Sequence, residues 1–157
     1  QAQRVGSGVH LNADMARITV LDLPDLPGNC SRVFNAVAAG GILVDTIVQN
    51  ITGPGRAELS FTVPKADAAK AEKLVGELLG QFGGGCRVES DANIAVLYVL
   101  GVGMRTHTGV GRTMFGALAA KGINIEMINT SEVCMGVVID AARGPEAVAA
   151  LKAVFNV

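Results

Sequence analysis

The sequence predicts an α+β protein in which one small unit of strands and helices occurs twice. Short apolar runs typical of buried strands alternate with helical patterns that end at glycines. Several similar segments also recur at one spacing of 81 residues. The pairs that share this spacing are 19–21 with 100–102, Gly28 with Gly109, and 41–45 with 122–126. A spacing that stays constant from the first strand to the second indicates one supersecondary unit used twice.

The first unit has the order strand, helix, strand, strand, helix, strand. Glycines 40 and 41 end the first helix, Gly53-Pro54-Gly55 predicts a tight hairpin, and Pro64 is suited to open the second helix. The predicted elements are a strand at 16–23, a helix at 29–39, strands at 42–51 and 57–63, a helix from 64 to 78, and a strand at 86–90. This order is that of a ferredoxin-like βαββαβ unit, with two helices on one face of an antiparallel sheet.

The second unit has only three strands of its own. Its predicted elements are a strand at 94–102, a helix at 110–121, strands at 123–132 and 133–140, and a helix from 145 to about 155. The N-terminal stretch 5–11 precedes the first unit and has no partner of its own, so it can fill the missing edge of the second unit, since a bare edge strand is usually covered. We therefore expect one domain at 15–92 and a second, discontinuous domain formed by 1–14 with 93–157.

Composition excludes several classes of function. The net charge is −1 and no basic run occurs, so nucleic acid and membrane partners are not expected. No apolar run reaches the ~18 residues of a membrane span, and the residues from Gln1 onward do not show the charged-then-apolar pattern of a leader, so neither is expected. Cys30, Cys86 and Cys134 lie far apart without a CxxC pair, which favours reduced thiols in a cytoplasmic protein over a metal site or a disulfide.

Two kinds of position are candidate ligand sites. The loops 25–28 and 105–109 each precede a helix, whose free N–H groups suit a carboxylate. Polar residues also interrupt the second strand of each unit, and amides or carboxylates there suit a polar ligand. These residues are Asp45, Gln49 and Asn50 in the first unit and Glu126, Thr130, Ser131 and Glu132 in the second. Ordinary turns and solvated sheet edges remain alternative explanations.

The sequence gives little support for a catalytic function. His10 and His107 are the two histidines, and no Ser-His-acid, metal-ligand or phosphate-loop pattern appears. Gly101-Val102-Gly103-Met104 follows a strand, as in dinucleotide-binding folds. The strand carrying Glu126 runs directly into the next one, however, which leaves no room for the crossover helix that a parallel sheet needs.

Four segments resemble the tandem ACT modules in the regulatory region of aspartate kinase. These segments are ITVLDLPDLPG (18–28), VDTIVQN (44–50), GVGMRTHTGV (101–110) and INIEMINTSE (123–132). The resemblance implies a non-catalytic allosteric unit that binds lysine, threonine or both, needs no cofactor, and forms a homodimer through its modules. It further implies a catalytic partner domain or subunit that phosphorylates aspartate with ATP. A ligand-free dimerisation module and a small ferredoxin-like enzyme remain the alternatives.

The resemblance also implies site residues. A threonine site would use Gly28, Cys30, Val44, Asp45 and Gln49, completed by Asn124 and Ile125 from the second module of a partner. A lysine site would use Asp25 and Thr52, facing Ser131 and Glu132. The chain departs from the family pattern at three positions, where Leu43 replaces an Asn, Cys30 a small residue and Gly111 a hydroxyl residue.

Overall fold

A computed structural model describes residues 8–101, 107–131 and 133–157. The chain divides into two compact units, and the divisions fall after Ala13 and after Ala92. The boundaries expected from the sequence fall after Asp14 and after Ala92. Residues 14–92 are called the first module below, and residues 8–13 with 93–157 are called the second module.

The described residues form eight strands and four α helices. The strands are β1 (Gly8–Asn12), β2 (Met15–Pro24), β3 (Ile47–Gly53), β4 (Arg56–Pro64), β5 (Arg87–Asp91), β6 (Ile94–Leu100), β7 (Met127–Thr130) and β8 (Cys134–Asp140). The helices are α1 (Asn29–Ala39), α2 (Ala68–Leu79), α3 (His107–Ala120) and α4 (Gly144–Phe155). One 3₁₀ turn precedes each of α2 and α4, at Lys65–Asp67 and Ala141–Arg143.

The first module is an antiparallel sheet in the order β3-β4-β2-β5 with both helices on one face. Alternate strand residues such as Ile18 and Phe61 are buried beneath Val33 of α1 and Val75 of α2. Burial of this apolar face is the main stabilising term for so small a sheet. The prediction of a ferredoxin-like unit is confirmed.

The second module repeats this plan with a borrowed strand. Its sheet has the order β1-β6-β8-β7, and β1 pairs antiparallel with β6 from Gly8 opposite Leu100 to Asn12 opposite Val96. The expectation that the N-terminal stretch completes this sheet is confirmed for residues 8–11, while residues 5–7 lie outside the described ranges. The α+β class with two ferredoxin-like modules is thus confirmed.

The repeat does not keep one spacing along the chain, so the prediction of a constant offset is wrong. Core residues Ala16, Ile18 and Val20 correspond to Ala95, Leu97 and Val99, a spacing of 79. The equivalence expected between 19–21 and 100–102 is therefore displaced by two residues. The spacing is 81 residues between the C-termini of α1 and α3. It falls to 76 residues between α2 and α4, because the β3–β4 hairpin is five residues longer than the β7–β8 hairpin.

Other predicted boundaries also move. Residues 42–46 were expected to begin a strand, but β3 starts at Ile47. The Ile42 amide donates back to the Val37 carbonyl of α1 at 3.4 Å, and the first bond to β4 is made by the Asp45 amide. β7 likewise starts only at Met127. The second helix of the first module begins at Ala68 rather than Pro64, which ends β4. Helix α3 begins at His107, three residues before the predicted start.

Candidate functional site

The loop that leads into α1 makes a tight turn and leaves open space beside the start of the helix. Gly28 precedes the helix with φ 89°, a left-handed conformation that favours glycine. No side chain caps the first turn of the helix, and the position of a Gly28 Cβ has no neighbour within 4 Å. An incoming carboxylate can therefore approach the N-terminal amides of α1.

Hydrogen bonds from Asn29 and Asp25 help to hold this loop in place. The buried Asn29 side chain donates to the Pro24 carbonyl at 2.8 Å, and the Asp25 amide donates to the Gly55 carbonyl at 3.0 Å. The second bond ties the loop to the β3–β4 turn. The sequence prediction did not include Asn29, although an Asn directly after a loop glycine is a recognisable signal for such a bond.

Strand β3 lies at the edge of the sheet and presents a partly apolar face. Ile47, Gln49 and Ile51 pair with Phe61, Leu59 and Ala57, whose side chains are buried. Paired residues share a face of the sheet, so these three side chains lie on the helix-bearing face. The helices do not cover them, because Ile47 is 46% exposed, Ile51 is 62% exposed and Gln49 is exposed. Thr52 follows at the bulge that precedes Gly53.

The predicted residues of the first module fall into two groups. Asp25, Gly28, Cys30 and Thr52 lie at the end of the sheet where Arg56 pairs with both Pro24 and Gly53. Val44 and Asp45 lie at the opposite end, where the Asp45 amide donates to the Thr62 carbonyl at 3.0 Å. Residues 45 and 52 are separated by roughly 23 Å at about 3.3 Å per strand residue. One amino acid cannot contact both groups within a module, while Gln49 lies between them.

The second module places its predicted residues similarly. Asn124 is exposed, whereas Ile125 packs partly against the core of this module. The Glu126 amide donates to the Val138 carbonyl at 2.8 Å. This hydrogen bond is equivalent to the one that the Asp45 amide makes with the Thr62 carbonyl. Ser131 lies in the β7–β8 turn, where its amide donates to the Cys134 carbonyl at 2.8 Å. Glu132 lies outside the described residues.

The ionisable groups of this region do not resemble an activated nucleophile. Burial and then the Asp25 charge raise the pKa of the Cys30 thiol, and burial also raises the pKa of Cys86. Both thiols are protonated at neutral pH and therefore react slowly. His10 is exposed on β1, and the side chain of His107 lies outside the described residues. Within the described ranges, no cluster of three or more His, Cys, Asp or Glu side chains could hold a metal ion.

None of the helices formed by the described residues combines the length and apolar composition that a membrane crossing requires.

A family model for the ACT domain matches residues 97–155. An aspartokinase from Pseudomonas aeruginosa is 37% identical over 154 residues, which cover 98% of this chain but only 37% of that protein.

Two solved structures match the chain along almost its whole length. The regulatory subunit of aspartate kinase from Thermus thermophilus, in its ligand-free form, is 38% identical with a TM-score of 0.86, and the match covers 97% of this chain and 99% of that one. A structure of aspartokinase alpha and beta subunits gives 36% identity and a TM-score of 0.87 over 96% of this chain and 99% of that one. The chain therefore belongs to the family of aspartate kinase regulatory subunits and is built from ACT modules.

Proposed function

We propose that this chain senses threonine, lysine or both and thereby inhibits the phosphorylation of aspartate by a catalytic aspartate kinase. The match to an aspartate kinase regulatory subunit over 97% of the chain carries this proposal. The pathway that it would control leads to lysine, threonine and methionine. ATP would bind only to the catalytic part, which would be either a domain of the same protein or a separate subunit.

The loop before α1 offers suitable chemistry for an amino acid. The N-terminal amides of α1 suit the ligand carboxylate, and the exposed Asp25 carboxylate suits its ammonium group. The exposed Gln49 amide can donate to, and accept from, a side-chain hydroxyl such as that of threonine. Asp25, Gly28, Cys30, Gln49 and Thr52 would then form the part of the site that lies in the first module.

A partner chain would complete this site. β3 and β7 are edge strands with exposed Ile47, Ile51 and Ile128, and such edges favour pairing with another strand. If β7 of a second copy pairs antiparallel with β3, the residues just before β7 meet the end of β3. Asn124 and Ile125 of the partner subunit would then lie beside Gly28. This arrangement supports a two-fold symmetric homodimer.

The same pairing affects the choice of effector. It places Ser131 and Glu132 of the partner subunit beside Val44 and Asp45, and away from Asp25 and Thr52. Asp25 would therefore lack the partner residues that the family resemblance assigns to lysine binding. We accordingly favour threonine at the site beside Gly28. We also place the protein in the cytoplasm, where its free thiols Cys30, Cys86 and Cys134 would stay reduced.

Calorimetry tests the proposal directly. Threonine or lysine should give saturable heat with the purified chain, whereas leucine and alanine at the same concentrations should not. A ligand at a hundredfold excess over its Kd should also raise the free energy of unfolding by about 2.7 kcal/mol. Equal stabilisation by all four amino acids, or by none, would reject the sensor function. Light scattering that gives a monomer mass at micromolar concentration would reject the partner-completed site.

A further inference from the structure

Two threonines of the first module place hydroxyl groups in its interior. Thr46 is 3% exposed and Thr62 is 0% exposed. Asn29, the other buried polar side chain in the part of the chain that the structure describes, already bonds to the Pro24 carbonyl. We infer that Thr46 and Thr62 together bind one ordered water molecule, which ties the segment before β3 to β4. This inference does not depend on the proposed function.

The Thr62 hydroxyl takes the place of a backbone acceptor just before β3. The Asp45 amide donates to the Thr62 carbonyl at 3.0 Å, and the Thr62 amide donates to the Thr46 carbonyl at 3.0 Å. The Thr46 amide donates instead to Thr62 Oγ1, also at 3.0 Å. Residues 45 and 46 therefore both face Thr62, as in a β-bulge. The Thr62 hydroxyl is thus held in place as an acceptor and still has a hydrogen to donate.

The Thr46 hydroxyl has no hydrogen-bond partner among the described residues. Buried hydroxyls in folded proteins bond either to the protein or to ordered water, because an unmade bond is costly. Thr62 Oγ1 is bonded to the Thr46 nitrogen, and Thr46 Oγ1 is three covalent bonds from the same nitrogen. The two hydroxyl oxygens therefore lie close together without bonding to each other, and one water molecule can bond to both.

The second module has apolar side chains at the equivalent place. Met127 and Val138 correspond to Thr46 and Thr62, because the residue before Met127 also donates its amide to the Val138 carbonyl. These two side chains are buried, at 6% and 1% exposed. Val and Thr have nearly the same shape, but Met extends two atoms farther from its Cβ than Thr does. The first module therefore combines two hydroxyls with a shorter side chain, and a bound water needs both polar partners and room.

A crystal structure at a resolution that shows ordered water tests the inference directly. We expect one water molecule within hydrogen-bonding distance of both Thr46 Oγ1 and Thr62 Oγ1, and its absence would overturn the inference. Thr46→Val keeps the shape of the side chain and removes the hydroxyl. It should lower the urea midpoint by about 0.5 M, because a made hydrogen bond is lost. An unchanged or higher midpoint would overturn the inference, since removal of an unpartnered hydroxyl does not destabilise.

A double variant tests whether the two hydroxyls share one water. Thr62→Val also removes the acceptor of the Thr46 amide, so it should lower the midpoint more than Thr46→Val does. The double variant should lose less than the sum of the two single losses, because either change alone already disrupts the water. Additive losses would overturn the shared site. Thr130→Val, at an exposed strand position, is the matched control and should leave the midpoint nearly unchanged.

Discussion

The two modules share a topology and a core pattern but differ at their edges. Buried strand positions beneath the helices match, as Ile18 matches Leu97 and Phe61 matches Val137. In contrast, the β3–β4 hairpin is five residues longer than the β7–β8 hairpin. The comparison indicates that packing constrains the centre of each sheet, whereas the edges are free to diverge.

The outer helical faces show the same divergence. In the first module Leu74 packs so closely on Gly40 that a Cβ there would lie 2.5 Å from Leu74 Cδ1. The equivalent pair in the second module is Ala150 and Lys121. Ala150 is one of five alanines that line an open groove of about 480 Å³ between α3 and α4. The two modules therefore differ on this surface although they share the fold beneath it.

The strongest test of the shared core is a pair of matched truncations. Ile18→Ala and Leu97→Ala remove equivalent side chains that are fully buried. Each should lower the free energy of unfolding by about 2–5 kcal/mol, because lost apolar transfer and a residual cavity both contribute. Urea denaturation measures the loss, and hydrogen exchange assigns it to a module. A cost below about 1 kcal/mol for only one variant would mean that the two positions are not equivalent.

The second test concerns the edge difference. Gln49→Ala should weaken threonine binding roughly 2- to 150-fold, since it removes one or two hydrogen bonds of ~0.5–1.5 kcal/mol each. The matched variant Thr130→Ala should leave the affinity nearly unchanged. Calorimetry gives both values, and unchanged melting temperatures without ligand confirm that the fold is intact. Equal effects of the two variants would place ligand-binding groups in both modules.

The third test compares how the modules cap their first helix. Lys70 donates to the Gly40 carbonyl at 2.7 Å. Arg143 instead donates to two carbonyls, that of Lys121 at 2.7 Å and that of Gly122 at 3.3 Å. It also donates to the Glu146 carboxylate at 2.8 Å. Cations at a helix C-terminus are stabilising. Because Arg143 makes more bonds, Arg143→Ala should lower the urea midpoint more than Lys70→Ala, and the reverse order would contradict this account.

The Arg143 pair also has a pH dependence. The hydrogen bond from Arg143 lowers the pKa of Glu146, so this carboxyl favours the folded state while it is ionised. The contribution is present above the unfolded pKa of the carboxyl and is lost as pH falls through the lower folded pKa. Glu146→Gln should therefore reduce the stability at pH 7 but not at pH 2. Urea midpoints at both pH values measure the difference.

The sequence predicted the parts of the fold that depend on buried periodicity. The apolar runs and the glycines that end α1 were sufficient for the order of strands and helices along the first unit, and the three strands of the second unit predicted the borrowed strand. The sequence could not reveal the bulge between Val20 and Leu23, because a run of apolar residues has the same pattern with or without one extra residue. The two-residue error in the repeat arises because ten residues separate Val99 from Gly109, whereas eight separate the equivalent Val20 and Gly28.

The candidate site was predictable residue by residue but not as an arrangement. Gly28 and Gln49 stand out as a loop glycine and a polar interruption. Only the register of β3 against β4 reveals that Asp45 lies at the opposite end of the sheet from Asp25. Distances along a strand follow from pairing, and pairing is a property of two segments rather than of one.

The smallest expected effect concerns two thiols of the first module. Burial raises the pKa of both Cys30 and Cys86, but only Cys30 lies at the proposed threonine site. Alkylation requires the thiolate, so both rates should be low at pH 7 and rise as the pH increases. Because the folded pKa values are raised, the stabilising contribution of each protonated thiol is complete below the unfolded pKa and is lost as the pH rises through the higher folded pKa.

Saturating threonine should slow the alkylation of Cys30 and leave that of Cys86 unchanged. The bound ligand would cover the first turn of α1, whereas Cys86 donates to the Asp22 carbonyl at the far side of β2 from the β3 edge. Mass spectrometry of the two cysteine-containing peptides after timed alkylation measures both rates in one sample. Leucine serves as the control ligand, since it should protect neither thiol. Equal protection of both cysteines would indicate general stabilisation of the module rather than a ligand seated beside Gly28, because suppressed opening slows every thiol together.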